Sequence, residues 1–556
     1  MKQFVPTIDI WAGLVSASVL IPTAIAYSGI AGLPPEAGLV ASIVGGLVYT
    51  LFGRTPGAIV TSTSSSAAII ATAGETFNIT GVTLQSVTFF ATAMAGIIFT
   101  IMALFKLGRL SNFIAISVLR GYTMGLSVLI ILNRLPHIFG MTPGGLNSPF
   151  TSVWQILTHV ESWHPSSIIL SIIAALMLWW GKTRGSAYPV PLGVLIMGLF
   201  VNISLSAYGY GLPDIGTVSM SFEPIHILGF TELPWKSLVL YGTLIFIVLY
   251  AESSTSIALS NNTNHITPDE NRDILGLGAA NIVSACASGM PVGAGFSQSA
   301  TSISAGAHTV WASRVASITL LISVLAFDQF VAYIPMTIIS IIVISAVAGP
   351  LDGHTVKQFF AWRRDRLLVI TSFVGVIVAG VADGLLFTIA LSILALLRRL
   401  ANPRLAQLGQ LGGSHDYVNI KRLTDAKEIP GMLIVRPDEP LFFGNALPIF
   451  TRIRRLITTR NTQNLETSTI IISMEETPDL DGTTIEVMHT FLNQMTSQNI
   501  KVYLCRVKNK PYKVLSRAKL EGLKKQQISP RSVDYVVSKL TESNTTENNA
   551  TTIKLN

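Results

Sequence analysis

Up to about residue 400 the chain is a succession of apolar runs, most of them long enough to cross roughly 30 Å of hydrocarbon. The pattern predicts membrane spans near 10–31, 36–52, 84–105, 112–135, 166–181, 189–206, 237–260, 273–289, 311–331, 333–350, 366–380 and 383–400. Two further segments, 61–76 and 296–307, are interrupted by small polar residues, in the stretches Thr61–Ser66 (TSTSSS) and Pro291–Ser299 (PVGAGFSQS). Each interruption makes its segment too short and irregular to span a bilayer unaided. Counted with the others, they give about fourteen segments, or two sets of seven with an interruption third in each. Matched interruptions in two halves point to a transporter of inverted repeats, in which two broken helices meet at the bilayer midplane and aim their N-termini at an anion.

After Arg404 the pattern changes. Short strand-like runs at Met432–Val435, Thr469–Met474 and Lys501–Arg506 alternate with amphipathic runs at Ala446–Ile457, Thr484–Met495 and Tyr512–Leu523. That alternation predicts a small α/β domain with helices covering a sheet. The expected division is a transmembrane domain over 1–404, a cytoplasmic domain over 405–540 and a disordered polar tail over 541–556 (TESNTTENNATTIKLN).

Charge sharpens this division. The 556 residues are 50% hydrophobic and 12% charged, but residues 1–400 carry only 32 Asp, Glu, Lys and Arg, against 36 in the last 156. The first body is too apolar to be soluble, and the second has ordinary soluble composition. The net charge of +8 does not indicate nucleic acid, because the basic residues cluster at span ends: Lys106 and Arg109, Lys182 and Arg184, Arg363, Arg364 and Arg366, Arg398 and Arg399. With a cytoplasmic N-terminus all of them fall on the cytoplasmic side, and the even span count returns the C-terminus there as well. The expected location is the cell's inner membrane, with lipid as surroundings. Cys286 and Cys505 lie in different domains, so no disulfide framework is implied, and no cleavable signal peptide is visible.

Three features carry chemistry. Pro22 bends the first span and frees carbonyls, either for packing or for lining a cavity. Thr63, Ser64 and Ser65 on one side, and Gly295, Phe296, Ser297 and Gln298 on the other, place hydroxyls and unpaired N–H groups at two helix starts, which suits a small anion. Glu252 sits inside an apolar span with Ser256 one turn away on the same face. A carboxylate there is costly enough to imply function, and binding H⁺ or Na⁺ would neutralise it. Asp9 reads as a helix start, Arg120 and Arg314 as interfacial, and Asp383 as a loop or cap residue.

The segment Ile21–Leu39 (IPTAIAYSGIAGLPPEAGL) resembles the first-helix signature of the SulP family of anion transporters, relatives of animal sulfate and anion exchangers and of prestin. Gly276–Thr309 (GLGAANIVSACASGMPVGAGFSQSATSISAGAHT) resembles the family's ninth and tenth helices, and the C-terminal domain resembles a STAS domain. The resemblance implies a seven-plus-seven inverted repeat shared with nucleobase permeases, with a core domain moving against a gate domain. It implies that the anion is held between helices three and ten, with Thr23 of the first-helix motif beside it, that the helix-eight acid Glu252 takes part in cation coupling, and that the chain is a homodimer. The family usually has Gln at the position of Thr23 and Arg at the position of Gln298. Without that cation the site relies on dipoles and hydrogen bonds, so affinity for a multiply charged anion is expected to be lower.

In the second domain, Pro478–Thr484 joins a strand to a helix, and Asp and Thr there explain it as a helix cap. It also matches the loop of anti-sigma-factor antagonists in which a Ser or Thr is phosphorylated, which makes Thr483 a candidate regulatory site. No Walker A pattern, metal cluster or nucleophile elbow is present, so neither an enzyme nor a cofactor is expected. The reading is a secondary transporter of sulfate, bicarbonate or a dicarboxylate, coupled to H⁺ or Na⁺. The alternatives are an uncoupled exchanger or channel, a nucleobase permease, and a sensor whose soluble domain is the output.

Overall fold

The computed structural model describes residues 7–77, 83–108, 116–141, 149–184, 190–207, 211–214, 235–264, 269–353, 357, 366–401, 403–463 and 465–542. Of the predicted features, the start of the 112–135 span, Arg109, Arg363, Arg364 and the tail from 543 lie outside those residues. The chain forms two compact units, 1–392 and 393–556.

The first unit is helical. In order it comprises α1 (Thr7–Ala31), α2 (Pro35–Phe52), β1 (Val60–Ser62), α3 (Ser64–Phe77), α4 (Leu84–Leu104), α5 (Ile116–Ile138), α6 (Pro149–Thr158), α7 (Pro165–Arg184), α8 (Val190–Ala207) and α9 (Trp235–Asn264). There follow α10 (Glu270–Cys286), β2 (Val292–Ala294), α11 (Phe296–Ser304), α12 (Trp311–Ala332), α13 (Met336–Val347), α14 (Arg366–Ala379) and the first half of α15 (Val381–Ala401), whose later residues belong to the second unit. Eight of the described helices are long and apolar enough to cross a bilayer. The short helix α6 was not foreseen from the sequence.

Burial separates two kinds of helix. α1 is buried nearly all round, from Ala12 to Ala31, as a helix inside a bundle must be. α7 and α8 instead leave Ile169, Ile172, Leu176, Trp179, Trp180 and Phe200 exposed. So many large apolar side chains on an outer face suit lipid rather than water. The helices also pack in two groups: α10 lies against α4 and α2, and α1 against α2 and α12, while α5 lies against α13 and α14, and α13 also against α7.

The second unit carries a mixed sheet of β3 (Leu405–Leu411), β4 (Tyr417–Asn419), β5 (Ala426–Lys427), β6 (Met432–Pro437), β7 (Thr469–Ser473) and β8 (Lys501–Cys505). The strand order is β4-β3-β6-β7-β8 with β5 on β3; β3 is antiparallel to β6, and β6, β7 and β8 are parallel. Side chains alternate across the sheet, as a period of two requires. Leu433, Val435, Ile470 and Ile472 pack under α16 (Ala446–Thr462) and α17 (Gly482–Ser497), through Ile449, Phe450, Phe491 and Met495. Ile434, Ile471 and Cys505 face the other way, onto Val533, Val536 and Val537. Burial pushes the Cys505 thiol up to about 12, so it is no nucleophile at neutral pH. The third helix, α18, spans Asn509–Ala518 and stops at Lys519, whose φ of 44° is left-handed.

Asp481 is the N-cap of α17: its carboxylate accepts from the Thr484 N–H at 2.8 Å and from the Thr484 hydroxyl at 3.1 Å, and also from the Phe443 N–H at 2.8 Å. Thr483 is exposed on the same turn.

Candidate anion site between two half-helices

The two interrupted segments come together as a ribbon. β1 and β2 pair antiparallel, with Val60 opposite Ala294, Thr61 opposite Gly293 and Ser62 opposite Val292. Each strand leads at once into a half-helix, β1 into α3 of 14 residues and β2 into α11 of nine. At 1.5 Å per residue these reach only about 21 and about 14 Å, so neither crosses a membrane alone.

A two-stranded ribbon inside hydrocarbon must find partners for its outer edges. Here side chains of the flanking helices supply them. Asn281 of α10 acts as a third strand, donating from Nδ2 to the Val292 carbonyl at 2.8 Å and accepting from the Val292 N–H at 2.9 Å. Ser253 of α9 accepts from the Ala294 N–H at 2.9 Å, and Ser299 accepts from the Ile59 N–H at 3.0 Å. Ser42 of α2 bonds Thr61, hydroxyl to hydroxyl, at 2.7 Å. A Cβ on Gly293 would come within 2.8 Å of the Leu249 side-chain tip and 3.1 Å of the Ser253 hydroxyl, so glycine there lets α9 lie close to the ribbon.

Two carboxylates tether the turns outside the ribbon. Asp273 of α10 accepts from the Tyr49 hydroxyl at 2.8 Å, the Arg54 and Thr55 N–H groups at 2.9 and 3.3 Å, and the Thr55 hydroxyl at 2.7 Å, which fixes the turn between α2 and β1. Asp9 does the same after α11, accepting from the His308 and Thr309 N–H groups at 2.8 and 3.2 Å and from the Thr309 hydroxyl at 2.5 Å. Asp9 thus begins α1 but serves another segment, whereas the sequence suggested only a helix start. Asp273→Ala would strand four donors, each costing about 1–3 kcal/mol if it stays buried. The expected result is a large loss of folded protein in detergent, with Asp273→Asn milder; equal melting temperatures for Asp273→Ala and wild type would contradict the tether.

At the half-helix starts, Thr63 caps α3 by accepting from the Ser66 N–H at 3.2 Å. The Ser65 hydroxyl donates to the Glu252 carboxylate. Tyr27 is buried on α1, which packs against both α3 and α11. Gln298 is buried, and its side chain folds back over Gly295. Ser297 is half-buried, and Phe296 is 55% exposed. The first N–H groups of α3 and α11 have no acceptor within their own helices. The result is a polar cluster with two positive dipole ends and donors from hydroxyls.

Sequence-derived expectations fare unevenly in this geometry. Thr63, Ser64, Ser65, Gly295 and Gln298 come together, with Glu252 beside them. Thr23 is buried on α1 and its hydroxyl bonds its own helix, at Val19 and Leu20. The Ser256 hydroxyl donates to the main-chain carbonyl of Glu252 at 3.1 Å, not to the carboxylate. Ser253 stands in the hydroxyl run after Glu252, but it serves the ribbon, and the sequence pattern assigns no role to Asn281 and Asp273. For Asn281 and Asp273 the signal was present, as polar groups inside a predicted span. Among the described residues no group of three or more His, Cys, Asp or Glu is placed to hold a metal ion.

A bundle of membrane helices holding two paired half-helices, followed by a small α/β domain, defines a multi-pass membrane transporter. The chain belongs to the Sulfate permease family, whose profile matches residues 7–400, and a STAS domain profile matches residues 424–531. Sulfate transporter 3.1 of Arabidopsis thaliana is 27% identical over 549 residues, covering 92% of this chain and 81% of its own. A probable sulfate transporter of Mycobacterium tuberculosis (strain CDC 1551 / Oshkosh) is 26% identical over 517 residues, covering 90% and 89%. Among solved structures, the murine Solute Carrier 26 family member A9 anion transporter in its inward-facing state superposes with a TM-score of 0.81 at 18% identity, over 97% of this chain and 92% of that one. The transmembrane domain of the cyanobacterium bicarbonate transporter BicA gives 0.61 at 16% identity, over 71% and 98%. These two likenesses establish the fold alone. The family and the relatives are transporters, not enzymes.

Proposed function

We propose that this chain is a secondary active transporter that binds a small oxyanion, with sulfate the first candidate, between the starts of α3 and α11, and couples its movement to H⁺ or Na⁺ at Glu252. The observation that carries the reading is the antiparallel pairing of β1 with β2, which sets two helix N-termini and their hydroxyls together, with Glu252 hydrogen-bonded to Ser65. The same pairing supports the inverted repeat, because each strand precedes a half-helix in its own half of the chain. The two packing groups of helices support a core, α1–α4 with α9–α12, that moves against a gate containing α5, α7, α8, α13 and α14. The basic residues at span ends support cytoplasmic termini and an inner-membrane location. The homodimer rests on the family resemblance.

Labelled sulfate, bicarbonate and a dicarboxylate, offered to proteoliposomes with and without inward pH and Na⁺ gradients, test this. Sulfate uptake that rises with one of the gradients is expected. Uptake no greater than in empty liposomes, or indifferent to both gradients, would contradict the proposal.

Gln298 is the expected selectivity residue. Gln298→Arg puts a fixed charge beside both helix starts, and at an effective dielectric near 20 such a charge separates divalent from monovalent anions by a few kcal/mol at about 5 Å. The ratio of sulfate to monovalent-anion uptake should rise on the order of a hundredfold, and less at high salt. An unchanged ratio would mean that position 298 faces away from the anion.

A further inference from the structure

We propose that Arg134 of α5 forms a second anion-binding position, away from the half-helix starts, that takes an oxyanion from the membrane face where α1 and α5 both end. Arg134 is 3% exposed and lies four residues before the end of α5. Its Nη2 donates to the Ala26 carbonyl of α1 at 2.8 Å, and the guanidinium rests against Gly29. Nε is buried and has no acceptor. Among the described residues no carboxylate pairs with Arg134, and the buried basic neighbour one turn on is His137.

A guanidinium removed from water and left without a counter-charge is costly, and a single carbonyl contact does not compensate for it. An anion would. The planar fork suits two oxygens of one oxyanion, which a halide cannot offer. The place fits traffic toward the first site: Ala26 lies on α1, the helix that also packs against α3 and α11. Arg134 would thus hold the anion one step before the half-helix starts. The bond from α5 to α1 crosses between the two packing groups of helices, so anion binding would compete with a contact that ties them together.

The inference rests on the transport reading only for the direction of traffic, and its test reads binding rather than transport. Purified full-length chain is melted while sodium sulfate is titrated at low concentration against chloride of matched ionic strength, where the general salting effect is small. Ser297→Glu removes the first site. Sulfate is expected to raise the melting temperature of Ser297→Glu, and not of the Ser297→Glu/Arg134→Met double variant. In sulfate-free buffer Arg134→Met should melt above wild type, because it removes an unpaired buried charge. Arg134→Lys keeps the charge without the fork and should respond to sulfate at least tenfold more weakly. Arg134→Met melting below wild type in sulfate-free buffer would assign Arg134 a structural role and overturn the proposal. Equal responses to sulfate of Ser297→Glu with and without Arg134→Met would overturn it as well. If wild type fails to transport sulfate yet keeps the Arg134-dependent shift, the transport reading falls and this site stands.

Discussion

Ser297→Glu is expected to abolish anion uptake while leaving the protein folded. A carboxylate about 4 Å from a bound anion, at an effective dielectric near 20, opposes it by about 4 kcal/mol, or roughly a thousandfold in affinity. Folding should not suffer, because an acid in the first turn of a helix favours the helix dipole. The main-chain carbonyl of Ser297, which accepts from Thr301 at 2.9 Å, is untouched. Removing only the hydroxyl, in Ser297→Ala, should cost about 1–3 kcal/mol. Uptake by Ser297→Glu in liposomes at the wild-type rate, from an equal amount of monodisperse protein, would place the anion elsewhere.

Glu252→Gln should separate exchange from accumulation. A carboxylate inside the helical bundle is costly while charged, and loading it with H⁺ or Na⁺ removes that cost. In the proposed cycle the core passes the gate only with Glu252 neutral. The amide is neutral permanently and still offers an oxygen to the Ser65 hydroxyl, so the local geometry is kept. Exchange between equal pools of sulfate should persist, while uphill accumulation driven by a pH or Na⁺ gradient should fall to the level without a gradient. If Glu252→Gln concentrates sulfate with the wild-type ion dependence, Glu252 is structural.

Elements held by local pattern were legible in the sequence, and those held by distant pairing were not. The long helices follow from unbroken apolar runs, and β6, β7 and β8 from short runs rich in Val, Ile and Leu, as buried parallel strands require. β3 (LAQLGQL) mixes polar residues into its run, and β4 and β5 have three and two residues, so no period betrays them. The ribbon of β1 and β2 joins residues 230 or more apart, and only the polar interruptions pointed to it.

Glu252 itself was legible as a carboxylate in an apolar span, but its partner was not. Spacing along the helix pointed to Ser256, yet a serine hydroxyl inside a helix readily bonds the carbonyl four residues back, and Ser256 does so. The carboxylate is served instead by Ser65 from α3. Asp9 and Asp273 were open to the same misreading, since each stands at a helix start and each fixes a turn from another part of the chain.

The central claim is that the anion lies between the starts of α3 and α11. Anomalous diffraction at the selenium edge, from crystals of the full-length chain grown in selenate as a stand-in for sulfate, tests it most directly. The account predicts a selenium peak within hydrogen-bonding distance of the first-turn N–H groups of both half-helices, near Ser65 and Ser297. Selenate-competed sulfate uptake by the same protein, with no peak at that position, would contradict it.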